Sequence, residues 1–180
     1  MDAVEESAVP LPARGEAMAD DRFGAFAQRE RKALVAFAWS LTGDWAAAED
    51  LAQEALEATW QRWGRVGDYD RPGAWARRVV ANRAVDRRRR AGREGRALGR
   101  WAGREPVDVE PAPADEEFWT ALRTLSERQA QTLALRYLED LPVADIAAVL
   151  GCAEGTVKVH LHRGRLTLAL KLGLLDGGPR

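Results

Sequence analysis

Gly151 constrains this chain more than any other residue, because two short helices must meet there. Ahead of it, in Leu141–Leu150, Pro142 suits the first turn of a helix, where its missing N–H costs nothing. Ile146, Ala147, Val149 and Leu150 form one apolar face, and Gly151 can adopt the positive φ that ends a helix. A second helix is expected from about Glu154, with Val157, Leu161 and Leu168 inward and Lys158, His162, Arg163 and Arg165 outward. Small Ala147 lets the two backbones approach, and a glycine-containing turn between short helices is the helix-turn-helix pattern. A plain helical hairpin shares that spacing; the basic outer face of the second helix favours reading of DNA.

A chain of 180 residues accommodates one or two domains. It has no run of eighteen apolar residues and no charged-then-apolar leader, so a soluble, non-exported, cytoplasmic protein without membrane insertion is expected. Cys152 is the only cysteine, which excludes an internal disulfide and a multi-cysteine zinc site. The formal net charge of −1 conceals a segregation of charge. From Arg71 to Arg104, twelve arginines face only Asp86 and Glu94. Leu41–Ala58 carries five acids and no base, and Glu105–Glu117 six acids and no base. Such blocks suit separate surfaces for separate partners, with phosphates as the natural ligand of the basic one.

Periodicity divides the chain into an all-α, two-domain arrangement. Residues 1–21, rich in Ala, Glu, Asp and Pro, read as a disordered acidic N-terminal extension, and Met18 is a second candidate start. The first domain spans 22–92. Its first helix, Arg22–Leu41, buries Phe23, Phe26, Leu34, Phe37 and Leu41. Asp44 caps a second, Trp45–Trp63, with Leu51, Ala55, Leu56, Thr59, Trp60 and Trp63 at helical spacing, and 64–70 reads as a loop. A third opens at Asp70-Arg71-Pro72, with Trp75, Val79, Val80 and Val85 toward the core and Arg77, Arg78, Asn82, Arg83 and Arg87 on a basic outer face. Residues 93–114 form a flexible linker, and a second domain spans 115–176. There Phe118, Trp119, Leu122 and Leu125 mark one helix; Ser126–Gln129 is a capping-box pattern for the next, which carries Leu133, Leu135 and Tyr137.

Catalysis finds no support. No phosphate-binding glycine loop, nucleophile elbow or metal-spaced His/Cys cluster occurs, and His160 and His162, two apart, diverge on a helix. No cofactor is implied, and no enzyme. The basic third helix instead offers guanidinium groups to phosphates, and Asn82 an amide able to read a base edge.

Three segments carry a family resemblance. The run DWAAAEDLAQEA over Asp44–Ala55, the run PGAWARRVVANRAVDRRR over Pro72–Arg89, and Leu125–Arg128 through Glu154–Lys158 and Leu161–Arg165 resemble, in order, motifs of extracytoplasmic-function (group 4) sigma factors of the sigma-70 family. The match extends over about Arg22–Leu174. The resemblance implies that the first domain is sigma region 2, a three-helix bundle, and the second is region 4, a helix-turn-helix domain. Asp50, Gln53 and Glu54 match the helix that engages core RNA polymerase at its β′ coiled coil, with the β flap as a second contact on the polymerase. Asn82 matches a position contacting the −10 element, with Arg78, Arg83 and Arg87 beside it. Thr156, Lys158, Val159, His162 and Arg163 match positions facing the −35 element. The acidic linker resembles a segment threading the RNA exit path, and an anti-sigma factor is implied as a partner. A transcriptional regulator that reads duplex DNA without polymerase is the contrasting possibility, for which the acidic Asp44–Glu57 helix would have no use.

Two departures stand out. Ala153 replaces the usual Ser at the start of the recognition helix, removing a side-chain cap of typically ~1 kcal/mol, and Glu154 partly compensates at the positive helix end. Val159 and His160 replace a Ser-Arg pair, which removes a hydroxyl and, at neutral pH, most of a positive charge; Val159 can meet a thymine methyl instead.

Overall fold

The computed structural model describes residues 14–94 and 116–175, with side chains described over 21–91 and 116–175. These residues form helices α1 (Arg14–Thr42), α2 (Trp45–Trp60), α3 (Trp63–Val66), α4 (Pro72–Glu94), α5 (Glu116–Arg123), α6 (Glu127–Tyr137), α7 (Val143–Leu150) and α8 (Glu154–Lys171), with no strand among them. None is long and apolar enough to cross a membrane.

In the first half, α1, α2 and α4 pack into the expected three-helix bundle. Asp44 caps α2 by accepting the Ala47 N–H at 2.9 Å. Helix α1 begins at Arg14, ahead of the expected Arg22, because the stretch after Pro12 holds no further proline and includes the good helix formers Ala17, Met18 and Ala19. Residues 14–21 of the extension expected to be disordered lie within α1, and 1–13 lie outside the described residues. Helix α2 stops at Trp60 rather than Trp63, and the expected 64–70 loop contains the single turn α3. That break rotates Trp63 and Val66 into the core and leaves Trp60, expected inside, 43% exposed against Phe23, their ring centroids 5.0 Å apart. In α4 the fully buried residues are Ala76, Val80, Ala81 and Ala84, whereas Trp75, Val79 and Val85 are half-buried. Methyl side chains at the contact let the helix axes approach, and the larger residues flank the seam.

In the second half, Gly151 ends α7 at φ 65° and ψ 41°, and the Cys152 N–H donates back to the Ala147 carbonyl at 3.1 Å. Pro142 lies one position outside α7, in its cap. The Ser126 hydroxyl makes no capping bond, so the expected capping box is absent from α6. Leu133 and Leu135 are buried, but Tyr137, in the last turn of α6, projects past the core at 50% exposure and accepts a bond from Arg165 Nε at 2.9 Å. Helix α8 buries Val157, Leu161 and Leu168, and also Gly164, where a Cβ would stand 2.9 Å from Leu133 Cδ1. Gly164 thereby sets the close approach of α8 to α6.

The two halves share one continuous core. Trp39 of α1 meets Trp119 of α5 edge-on with ring centroids 6.0 Å apart, and the Arg123 guanidinium lies 5.3 Å from the Trp39 ring. Residues 95–114 of the expected linker lie outside the described residues; 93 and 94 are the end of α4.

Candidate nucleic-acid interface

Helix α4 carries its arginines on two sides, and each side meets a different protein surface. Toward α2, Arg83 pairs with Glu54 at 2.9 Å and Arg87 with Asp50 at 3.7 Å. Gln53 Nε2 donates to Glu57 Oε1 at 2.9 Å, one turn along the same α2 face. Asp50 and Glu54, assigned by resemblance to polymerase, therefore adjoin Arg83 and Arg87, assigned to the −10 element, whereas Arg78 lies on the other side of α4. Asn82 is exposed on α4 immediately before Arg83. The pairs are largely solvent-exposed, so each holds less than about 1 kcal/mol and leaves the arginines exchangeable between partners.

Toward the second half the contacts are deeper. Arg77 bridges two carboxylates: it donates through Nη1 to Glu30 Oε2 at 2.8 Å, and through Nε and Nη2 to Glu139 Oε2. The Arg77 and Glu139 side chains are only 12% and 8% exposed. Burial opposes the Arg77 charge, but hydrogen bonds and attraction from Glu139 and Glu30 outweigh it and raise its pKa. Burial pushes the Glu139 carboxyl above its ordinary value, Arg77 lowers it only in part, and Glu30 adds like-charge repulsion. One cation thus serves two acids, and Glu139 Oε1 remains buried without a hydrogen-bond partner.

Arg78 lies in the same interface but takes no acid. Its Nε donates to the Val149 carbonyl at 3.0 Å and its Nη2 to the Ala148 carbonyl, so it caps the C-terminal end of α7. Gln131 of α6, buried, donates to the Ala81 carbonyl at 2.8 Å. Arg71 pairs with Asp145, and Arg89 pairs with Glu127 at 3.1 Å.

Helix α8 presents the opposite picture. Thr156, Lys158, Val159, His162 and Arg163 are all exposed, on the side away from Val157, Leu161 and Leu168. Among the described residues, the side chains of Lys158, His162 and Arg163 make no hydrogen bond or ion pair. Ala153 occupies the N-cap with ψ 149° and no side-chain cap bond, as expected for that residue. His160 is half-buried while His162 is exposed, so the two rings diverge. Among the described residues no group of three or more His, Cys, Asp and Glu could hold a metal ion.

Sequence reasoning missed Arg77, Glu139 and Gln131, because it placed Arg77 and Arg78 together on the outer basic face. Adjacent helical positions point about 100° apart, and that offset is the available signal that the two arginines cannot share a role.

The arrangement is one of paired binding surfaces, and its relatives agree. A model of sigma-70 region 2 matches residues 26–94, and a model of sigma-70 region 4 matches residues 115–168. The ECF RNA polymerase sigma factor SigL of Mycobacterium tuberculosis is 36% identical over 146 residues, covering 77% of this chain and 82% of the relative. The RNA polymerase sigma-E factor of Streptomyces avermitilis is 30% identical over 165 residues, covering 91% and 90%. Among solved structures, the sigma factor RpoE of Bartonella quintana, in complex with the anti-sigma factor NepR, superimposes with a TM-score of 0.67 at 28% identity, covering 86% of this chain and 98% of that one. Sigma factors are non-catalytic, which fits a molecule built from binding faces. With regions 2 and 4 in order and such relatives along most of its length, this chain belongs to the extracytoplasmic-function type of the sigma-70 family of RNA polymerase sigma factors.

Proposed function

We propose that this sigma factor binds core RNA polymerase through Asp50, Gln53 and Glu54 on α2, with the β′ coiled coil and the β flap as its contacts. In that complex Asn82, Arg83 and Arg87 on α4, joined by Arg78, take the −10 element. Thr156, Lys158, Val159, His162 and Arg163 on α8 take the −35 element in the major groove. The observation that carries this reading is the exposed polar face of α8 set against a buried face of Val157, Leu161, Gly164 and Leu168, beside a first-half surface where acids and arginines adjoin. Lys158 and Arg163 supply charge to phosphates, while Val159 suits a thymine methyl. Binding energy, with no covalent step, supplies the whole effect. An anti-sigma factor is a further proposed partner, supported by the solved relative bound to one.

The test is run-off transcription from genomic fragments with purified protein and core polymerase. Promoter-dependent transcripts are expected; their absence with intact duplex binding would favour a regulator acting without polymerase. Asn82→Ala is expected to weaken binding of the melted −10 strand by about 1–3 kcal/mol while core binding stays unchanged. Equal loss of both would contradict the role given to Asn82.

A further inference from the structure

Arg123 of α5 is a half-buried charge that the protein leaves unanswered. Its guanidinium lies 5.3 Å from the Trp39 ring and against Gly43, whose φ of 71° turns the chain between α1 and α2. A Cβ at Gly43 would stand 2.8 Å from Arg123 Nε, so the missing side chain is what admits the guanidinium. Nη2 donates to the Thr120 hydroxyl at 3.0 Å, while Nη1 is buried with no hydrogen-bond partner. Burial holds the Arg123 pKa below its ordinary value, and the attraction of Glu116 offsets this only in part.

Beside Arg123 opens a recess of about 340 Å³, bounded by the α1–α2 turn, α4 and α5. Arg87 and Arg88 of α4 line it together with Arg123, Thr42 and Asp44. Arg88 is loosely held, its Nη1 reaching the Leu125 carbonyl only at 3.4 Å, and Arg87 leans on Asp50 at 3.7 Å. Three guanidiniums therefore face one lining carboxylate, and Asp44 already accepts the Ala47 N–H through Oδ1. Glu127, in a smaller neighbouring cavity, is taken by Arg89. Like charges gathered round a recess repel one another. An anion seated among them removes that repulsion and gives Arg88 and Arg123 the acceptor that the protein does not. Guanidinium groups match phosphate oxygens in forked pairs, and the recess has the size of a small-ligand site. A terminal phosphate brings close to two negative charges near neutral pH and a phosphodiester about one, so the terminal group suits the imbalance better.

We propose that this recess binds a small anion bearing a terminal phosphate or diphosphate, held by Arg88 and Arg123 with Arg87 at the rim. Trp39 and Gly43 fix Arg123 in position for it. The site lies apart from the proposed polymerase and −35 contacts, and meets the proposed −10 surface only at Arg87.

The test titrates the full chain with inorganic pyrophosphate by isothermal titration calorimetry at physiological ionic strength. The wild type is expected to bind one pyrophosphate per chain, saturably. Arg88→Gln and Arg123→Gln each keep a planar polar head while removing the charge, and should bind at least about tenfold more weakly. Arg65→Gln, which alters an exposed arginine on α3, should match the wild type. Circular dichroism establishes folding, and where Arg123→Gln does not fold, Arg88→Gln decides alone. Three results would each overturn the site: no saturable binding by the wild type, undiminished binding by folded Arg88→Gln, or an equal loss in Arg65→Gln. Fluorescence anisotropy with a labelled oligothymidylate lacking a terminal phosphate separates the two sources of phosphate. Unchanged oligonucleotide affinity in Arg88→Gln supports a small ligand; a loss there equal to that for pyrophosphate would assign the recess to the DNA backbone and overturn the proposal.

Discussion

Helices α4 and α8 both bear cations expected to face DNA, yet they hold them in opposite ways. On α4, Arg77, Arg78, Arg83, Arg87 and Arg89 each meet an acceptor within the protein, from carboxylates of α1, α2 and α6 to the open carbonyls of α7. On α8, Lys158, His162 and Arg163 stand in solvent with no such acceptor among the described residues. The difference follows from position. Helix α4 packs against α1, α2 and α7, whereas α8 packs one side on α6 and α7 and leaves the other bare. A basic helix in the middle of a bundle has its charge answered from within, and one at the edge keeps it for a partner.

The comparison breaks most severely at Arg77. Arg77→Ala leaves Glu30 and Glu139 without their cation, and a buried carboxylate deprived of its partner costs about 3–5 kcal/mol. Denaturant unfolding of the full chain should show a loss near that size; a loss below about 1 kcal/mol would mean that solvent already reaches the site. Next in size is the other helix. Ala153→Ser supplies the missing cap at a backbone geometry that already suits it and should raise stability by ~1 kcal/mol, seen as a higher unfolding midpoint.

A third effect depends on pH. Burial raises the Glu139 pKa in the folded protein above its unfolded value, so the folded state holds this proton more firmly. Its stabilising contribution is complete below the ordinary carboxylate range and is lost as pH rises through the raised value. Melting temperature should therefore carry a component that declines across that window in the wild type and vanishes in Glu139→Gln; identical profiles would refute it. The smallest effect should come from Lys158→Ala, which removes an exposed cation without an internal partner. Stability should move by less than about 0.5 kcal/mol while affinity for −35 duplex falls.

Local chemistry made much of the fold legible. Asp44 as a cap, the left-handed Gly151 and the uncapped start of α8 at Ala153 each follow from one residue's own conformational preferences. The inward face of α8 was legible too, since Val157, Leu161 and Leu168 repeat at helical spacing. What escaped was set by partners distant along the chain. Large side chains drew attention to Trp75, Val79 and Val85, although close helix packing selected Ala76, Ala81 and Ala84. Arg77 and Arg78 are identical as letters, and only their angular offset on α4, together with where α6 and α7 fall, makes one a bridge between acids and the other a helix cap. The junction between the halves joins residues such as Gln131 and Ala81, fifty positions apart, and leaves no periodic trace in either segment.

The α7 carbonyls that Arg78 holds and the −10 phosphate proposed for it differ in their sensitivity to ionic strength. A phosphate contact gains from the release of counterions condensed on nucleic acid, so added salt erodes it steeply. The carbonyls of Ala148 and Val149 hold no counterion cloud, and their grip on the same guanidinium is nearly indifferent to dissolved ions. Under the proposed assignment of Arg78 to the −10 element, raising the salt concentration weakens its DNA contact more than its hold on the α7 carbonyls.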